Sequence, residues 1–450
     1  MTYLRRKIDS FLEEWYLNKQ KKPLIIKGAR QIGKTKSARR FATMHYENLV
    51  EINFVENTQF KTILENGYSV ENIIKNITRI NPDIKCIPHK TIIFFDEIQS
   101  YPDIVTSLKF FSEDGRFDVL CSGSLLGINY KQIESISVGY KTDYEMYSMD
   151  FEEFLWAMGD ETTMPYVKQC FEKRRPLGPL HRKVMDLFRQ YMIVGGMPQA
   201  VSAFIENKNF EDVDVVKREI LSLYRADIEK YAMGYESKVK SIFDQIPAEL
   251  QRHEKRFRLS HISETARLRD YESSFLWLSD AKIVNVCYAA TEPVIGLKMR
   301  MDNLTLKCYM ADTGLLISHA FDEKTIINEK LYQKLLLDKL EINKGMLVEN
   351  IVAQMLSASG HKLYFYSSYS KTDAEDRMEI DFLIRKSIIT NRHNICPIEV
   401  KSTTKYTITS LEKFYHKFNK NLSMAFVLHS ADLKEENGIV YLPLYMTPFL

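Results

Sequence analysis

The sequence is poor in the features that would place it in a membrane, outside the cell or around a zinc ion. No uninterrupted apolar run approaches the roughly 20 residues needed to cross a bilayer. Cysteine is scarce and scattered. Cys86, Cys121, Cys170, Cys287, Cys308 and Cys396 include no C-x-x-C pair and several lie inside apolar runs, which predicts reduced, packed thiols. No Cys/His spacing supports zinc. The stretch Met1 to Lys7 runs into an amphipathic helix without the apolar core of a signal peptide, so a soluble cytoplasmic protein is expected, with no membrane partner. Charge of one sign is also lacking: 62 Lys and Arg against 59 Asp and Glu leave a net +3, which permits nucleic-acid contact without arguing for it. The 25 Tyr and 25 Phe are dispersed and form no base-stacking platform.

What is present is a phosphate-binding loop. Gly28-Ala29-Arg30-Gln31-Ile32-Gly33-Lys34-Thr35 fits G-x-x-x-x-G-K-[ST] at every fixed position, between a short apolar strand, Pro23 to Ile26, and a helix beginning near Lys34. Glycines let backbone N–H groups curl around phosphate oxygens, and the helix turns its positive end toward the same anion. Lys34 is expected on the β- and γ-phosphates of ATP, and the Thr35 hydroxyl on Mg2+.

A second apolar strand ends in carboxylates, Thr91-Ile92-Ile93-Phe94-Phe95-Asp96-Glu97. Asp96 is expected to support Mg2+, and Glu97 to orient and deprotonate the attacking water. A third β-rich run, Phe117 to Ser124, brings Ser122 or Ser124 toward the γ-phosphate, unless these serines only cap or turn the chain. Strands alternating with helices predict a parallel α/β sheet with the ligand at the strands' carboxyl ends.

Length allows about three domains. Beyond residue 165 the β-rich runs give out and helices are expected over 166–235, broken at Gly195-Gly196-Met197-Pro198, where two glycines and a proline interrupt the period. Over 236–325 the pattern is three helices and then two β-rich runs, Lys282 to Ala289 and Leu304 to Met310, the order of a winged helix. Its basic face would comprise Arg252, Lys255, Arg256, Arg258, Arg267 and Arg269, serving either DNA contact or a protein spacer. The tail, 326–450, carries a second constellation. Asp381 interrupts an apolar strand, where a lone carboxylate is costly unless it meets a cation or lies at the strand's end. In Glu399-x-Lys401, strand alternation points carboxylate and ammonium to one face. Asp381 and Glu399 are expected as Mg2+ ligands, Glu349 as a third from a helix, and Lys401 as the group that lowers the pKa of a bound water or holds phosphate.

Taken with Tyr191 to Pro198 and Tyr224-Arg225-Ala226-Asp227-Ile228, these motifs resemble a bacterial and archaeal family of AAA-type P-loop ATPases fused to a C-terminal domain of unknown function. The resemblance implies an AAA-like ATPase domain over 1–165, a helical lid over 166–235, a winged helix over 236–325, and a restriction-endonuclease-like α/β domain over 326–450. Glu349, Asp381, Glu399 and Lys401 then correspond to a PD-(D/E)xK nuclease site. Where such proteins carry a Gly-Arg pair at the arginine-finger position, this chain has Gly139-Tyr140-Lys141, and lysine is a point charge rather than a planar fork. The expected function is Mg2+-dependent ATP hydrolysis coupled to DNA, with a second copy of the chain or another protein as further partners. Its rivals are an ATP-gated DNA endonuclease and a nucleotide switch that docks proteins.

Overall fold

The computed structural model describes residues 3–124, 139–252, 254–321, 330, 334, 344–369, 376–386, 393–403 and 405–450. The chain divides into two compact units, residues 1–148 with 280–282, and residues 149–279 with 283–450.

The first unit is built on five strands: β1 (Leu24–Lys27), β2 (Asn48–Asn53), β3 (Thr91–Asp96), β4 (Asp118–Gly123) and β5 (Thr142–Glu145). Their order is β2-β3-β4-β1-β5, every neighbouring pair parallel. β3 is buried at all six positions, which is why it reads as a continuous apolar run. On one face Ile73 and Ile77 of the helix Val70–Ile80, with Leu108 and Phe111 of the helix Ile104–Asp114, close over Val50, Ile52, Ile93, Phe95 and Val119. The register sets Asn53 beside Asp96 and Phe95 beside Cys121, so Asp96 and Ser122 leave the sheet side by side at its carboxyl edge.

The second unit joins a helical layer to an eight-stranded mixed sheet. Its strands are β6 (Val284–Ala290), β7 (Met301–Met310), β8 (Tyr364–Ser368), β9 (Met378–Arg385), β10 (Ile395–Val400), β11 (Ala425–His429), β12 (Lys434–Glu436) and β13 (Ile439–Pro443), in the order β12-β13-β11-β10-β9-β8-β6-β7. β6 and β7 form an antiparallel hairpin, and β6 pairs in parallel with β8 through Tyr288–Tyr364 and Ala289–Phe365. The two β-rich runs read as a wing are therefore continuous with the tail's own sheet. Upstream of them, the helices Glu236–Gln251 and Glu272–Asp280 are separated by two short 3-10 turns instead of a third α-helix. Between residues 258 and 271 only Leu259 is buried, too little apolar surface to fix a helix. Apart from Lys330 and Lys334, residues 322–343, which contain the expected boundary between 325 and 326, lie outside the described residues.

The Gly195-Gly196 break is a point of close packing. The Gly196 N–H donates to Asp312 Oδ2 at 2.7 Å, and its carbonyl accepts from the Met149 N–H at 2.7 Å. A Cβ on Gly196 would lie 2.1 Å from the Met149 carbonyl oxygen, so no side chain fits there. Asp312, which sequence reasoning passed over, also caps the helix Thr313–Ala320 by accepting from the Leu315 N–H at 3.0 Å.

Candidate functional site

The loop Gly28 to Thr35 joins β1 to the helix Lys34–His45, with Gly33 as its N-cap at φ 95°, a left-handed conformation that glycine adopts without steric cost. The Lys34 ammonium is buried and donates to the carbonyls of Gly28, at 3.0 Å, and Ala29, at 2.6 Å, spanning the loop. Ile32 is buried, and its carbonyl is gripped from outside the motif: Arg6 Nη1 donates to it at 2.6 Å while Nη2 donates to the Tyr147 carbonyl at 2.7 Å. Arg6 is 5% exposed and acts as a brace for the loop. Its place among three basic residues near the N-terminus gave no sign of this. Arg30 and Gln31 occupy the crest of the loop, with Gln31 at φ 66°.

Asp96 gathers the remaining groups. Its Oδ2 accepts from the Thr35 hydroxyl at 3.0 Å and more distantly from Asn53 Nδ2 at 3.4 Å, and its Oδ1 accepts from the Glu97 N–H at 3.1 Å and from the Ser122 hydroxyl. Burial raises the Asp96 carboxyl above the ordinary carboxylate range, and the Ser122 and Thr35 hydroxyls oppose that rise. Ser122 thus sits on the carboxylate rather than apart from it. Ser124 approaches Gln99 Nε2 at 3.5 Å, and Gln99 in turn donates to the Glu97 carboxylate. Glu97 has φ 55° and ψ 44°, a conformation that costs a non-glycine residue roughly 1–3 kcal/mol and concentrates at working sites. Lys141, which stands where the resemblance would place an arginine finger, is paired with Asp143 at 2.5 Å.

Hard oxygen donors suit a divalent cation, and Thr35 with Asp96 supply them where the lysine loop would place phosphate. The residues present therefore fit ATP with Mg2+.

In the tail, the expected group of four makes two sets of contacts. Lys401 Nζ donates to Glu399 Oε1 at 2.5 Å, and Glu399 lies near Glu412 and the Leu411 backbone of the helix Thr409–Phe418. Burial raises the Glu399 carboxyl and Lys401 opposes the rise. β9 carries a bulge on the side facing β8: Tyr364 pairs with Leu383 but Tyr366 with Ile380, so Asp381 and Phe382 stand opposite the single residue Phe365. Asp381 Oδ2 accepts from the Val400 N–H at 2.8 Å, and its carboxyl is pushed up to about 7 by burial and by Glu349. Lys307 of β7 meets this group. Its ammonium is 2.8 Å from Glu379, 3.8 Å from Asp381 and 3.9 Å from Glu349. Glu349 also pairs with Lys255 and accepts from the Tyr309 hydroxyl at 3.1 Å. Among the described residues no group of three His, Cys, Asp or Glu side chains is placed to hold a metal ion, so Glu349, Asp381 and Glu399 are not assembled as the sequence suggested.

The basic face read into 252–269 is largely paired. Arg252 lies 3.6 Å from Glu249, Arg258 pairs with Glu254, Arg269 lies 3.6 Å from Asp270, Lys255 is buried on Glu349, and Arg256 donates to Ser367. No helix among the described residues is long and apolar enough to cross a membrane.

Comparison with known proteins agrees with the loop's geometry. Residues 20–155 match the model of an AAA domain, residues 185–325 a domain of unknown function (DUF8612), and residues 344–446 another (DUF4143). No curated protein matches. Among solved structures, the Orc1 protein of Aeropyrum pernix in complex with DNA is 13% identical, with a TM-score of 0.28 over 72% of this chain and 92% of that one. Cdc6p of Pyrobaculum aerophilum is 13% identical, with a TM-score of 0.26 over 76% and 97%, and PCH-2 of C. elegans is 13% identical, with a TM-score of 0.25 over 44% and 59%. The matched AAA model and the complete loop on a parallel sheet make residues 20–155 an AAA-type P-loop domain.

Proposed function

We propose that this chain binds ATP with Mg2+ and hydrolyses it, and that nucleotide state controls engagement of DNA by the second unit. The observation that carries the first part is the Thr35 hydroxyl on Asp96 at 3.0 Å, at the carboxyl edge of the sheet and beside a lysine-bearing phosphate loop. When bound, ATP supplies the transferable phosphoryl group and Mg2+ neutralises charge on its oxygens. Thr35 and Asp96 would hold the metal, Lys34 and the loop N–H groups would orient the phosphates, and Glu97 would take the proton of the attacking water. Ser122 holds the second oxygen of Asp96 and so fixes which oxygen faces Thr35. The DNA reading draws its support from exposed Arg267, with Arg258 and Arg269 exposed beside it but each next to a carboxylate.

Phosphate release from ATP with Mg2+ by the wild type, compared with Lys34→Ala and Glu97→Gln, tests the first part. Turnover that survives Lys34→Ala would sink it. Fluorescence anisotropy with duplex DNA, with and without ATP, tests the second: nucleotide-independent or absent binding removes the coupling. A second reading, a nucleotide switch with slow turnover that docks a protein, is favoured by one observation, the Gln99 amide on Glu97.

A further inference from the structure

Each nearby element pins the acidic group of the tail to the hairpin. Lys307 is 1% exposed and Lys255 7%, an unusual depth for ammonium groups unless they are paired. Lys307 stands on β7, whose end is clamped by Asn350: Asn350 Oδ1 accepts from the Met310 N–H at 2.8 Å and Nδ2 donates to the Met310 carbonyl at 3.1 Å. Asn350 follows Glu349 on the helix Lys344–Ala358, so the same helix turn fixes the strand that delivers the ammonium and the carboxylate that receives it. The Lys307 stem runs beside Phe365, with Nζ 5.0 Å from the ring centre, on the strand facing the β9 bulge.

Carboxylate oxygens are the donors a divalent cation would choose, and two ammonium groups carry the charge of one such ion. We propose that Lys307 and Lys255 supply this charge from within the chain, so that the site formed by Glu349, Glu379 and Asp381 is closed to metal and serves as the ionic joint between the hairpin and the tail. The inference deepens the reading of the second unit and is independent of ATP hydrolysis.

Mn2+ uptake by the full chain in nucleotide-free buffer, followed by the loss of free-ion EPR signal, tests it in the wild type, Asp381→Asn, Lys307→Ala and Lys307→Ala/Asp381→Asn. Thr35 and Asp96 are common to all four, so any uptake by the AAA domain cancels. The expected result is equal uptake by wild type and Asp381→Asn, a gain of about one tightly held Mn2+ per chain in Lys307→Ala, and loss of that gain in the double variant. Wild-type uptake that Asp381→Asn abolishes would overturn the proposal, as would a folded Lys307→Ala that gains nothing. Circular dichroism reports whether Lys307→Ala folds. If it does not, the comparison of wild type with Asp381→Asn decides alone, equality upholding the closed site and a difference rejecting it.

Discussion

Thr35 donates its hydroxyl to Asp96 at 3.0 Å, closing a contact between residues 61 apart in sequence and joining the phosphate loop to the end of β3. The bond pre-positions two oxygens for one cation, so Asp96→Asn keeps the shape of the site and removes the charge. Losing a hydrogen bond to a charged group corresponds to about 1.5–3 kcal/mol, or roughly 10- to 100-fold in affinity. ATP affinity in Mg2+ is expected to fall by that factor and affinity in EDTA to stay at the wild-type value, as read by equilibrium titration with a fluorescent ATP analogue. An equal fall in both conditions would mean that Asp96 supports the loop and not the metal.

The Gln99 amide rests on the carboxylate expected to act as base. Glu97→Gln removes the base and is expected to lower kcat by about 10²- to 10⁴-fold with ATP binding retained. Gln99→Ala frees the carboxylate from a competing donor. A hydrogen bond to a charged group is worth about 1.5–3 kcal/mol, so kcat is expected to rise by up to roughly 10- to 100-fold with KM unchanged. A fall in kcat after Gln99→Ala would assign Gln99 the opposite task, aiming Glu97 at the water.

These residues also show what the sequence disclosed and what it withheld. The loop was legible because its chemistry is local: four fixed positions within eight residues, flanked by a strand and a helix. Asp96 was legible as a carboxylate closing a wholly apolar run. Arg6, Gln99 and Asp312 were not, since each works through contacts that no local periodicity encodes. The contacts of the tail carboxylates were not legible either: Asp381 accepts from the Val400 N–H and stands 3.8 Å from Lys307, a residue of β7 that nothing in the tail's own sequence points to. Pairing of β6 with β8, strands separated by the helices Thr313–Ala320 and Lys344–Ala358, likewise leaves no mark in either strand's own residues.

Gly196 leaves no room for a side chain, its absent Cβ lying 2.1 Å from the Met149 carbonyl oxygen and 2.8 Å from the Met149 nitrogen. These Met149 backbone atoms cannot rotate aside as a flexible side chain could. Gly196→Ala is expected to destabilise the second unit by about 1–3 kcal/mol, the usual range for overpacking, and to lengthen the Asp312 cap. Urea unfolding followed by hydrogen exchange at the Leu315 amide checks both effects. Unchanged exchange there would show that the glycine is dispensable for the cap.

His429 offers a pH test of the tail. The residue is 4% exposed, Nδ1 lies 2.9 Å from the Tyr406 hydroxyl, and Nε2 has no hydrogen-bond partner among the described residues. Burial pushes its pKa down from 6.5 to about 4, with Lys434 and His181 adding to the fall and Asp432 opposing it. The sign follows from proton binding. Between those two values the unfolded chain holds more protons than the folded one, so stability is in place above about pH 6.5 and drains as pH falls toward 4. At pH 5 the loss relative to pH 7 is about 2 kcal/mol. His429→Gln carries no such proton and is expected to lose about that much less than the wild type over the same interval, as read from urea midpoints at both pH values. Equal losses in the two proteins would mean that the imidazole accepts its proton without leaving the fold, and the acid sensitivity of the tail would then have to come from its carboxylates.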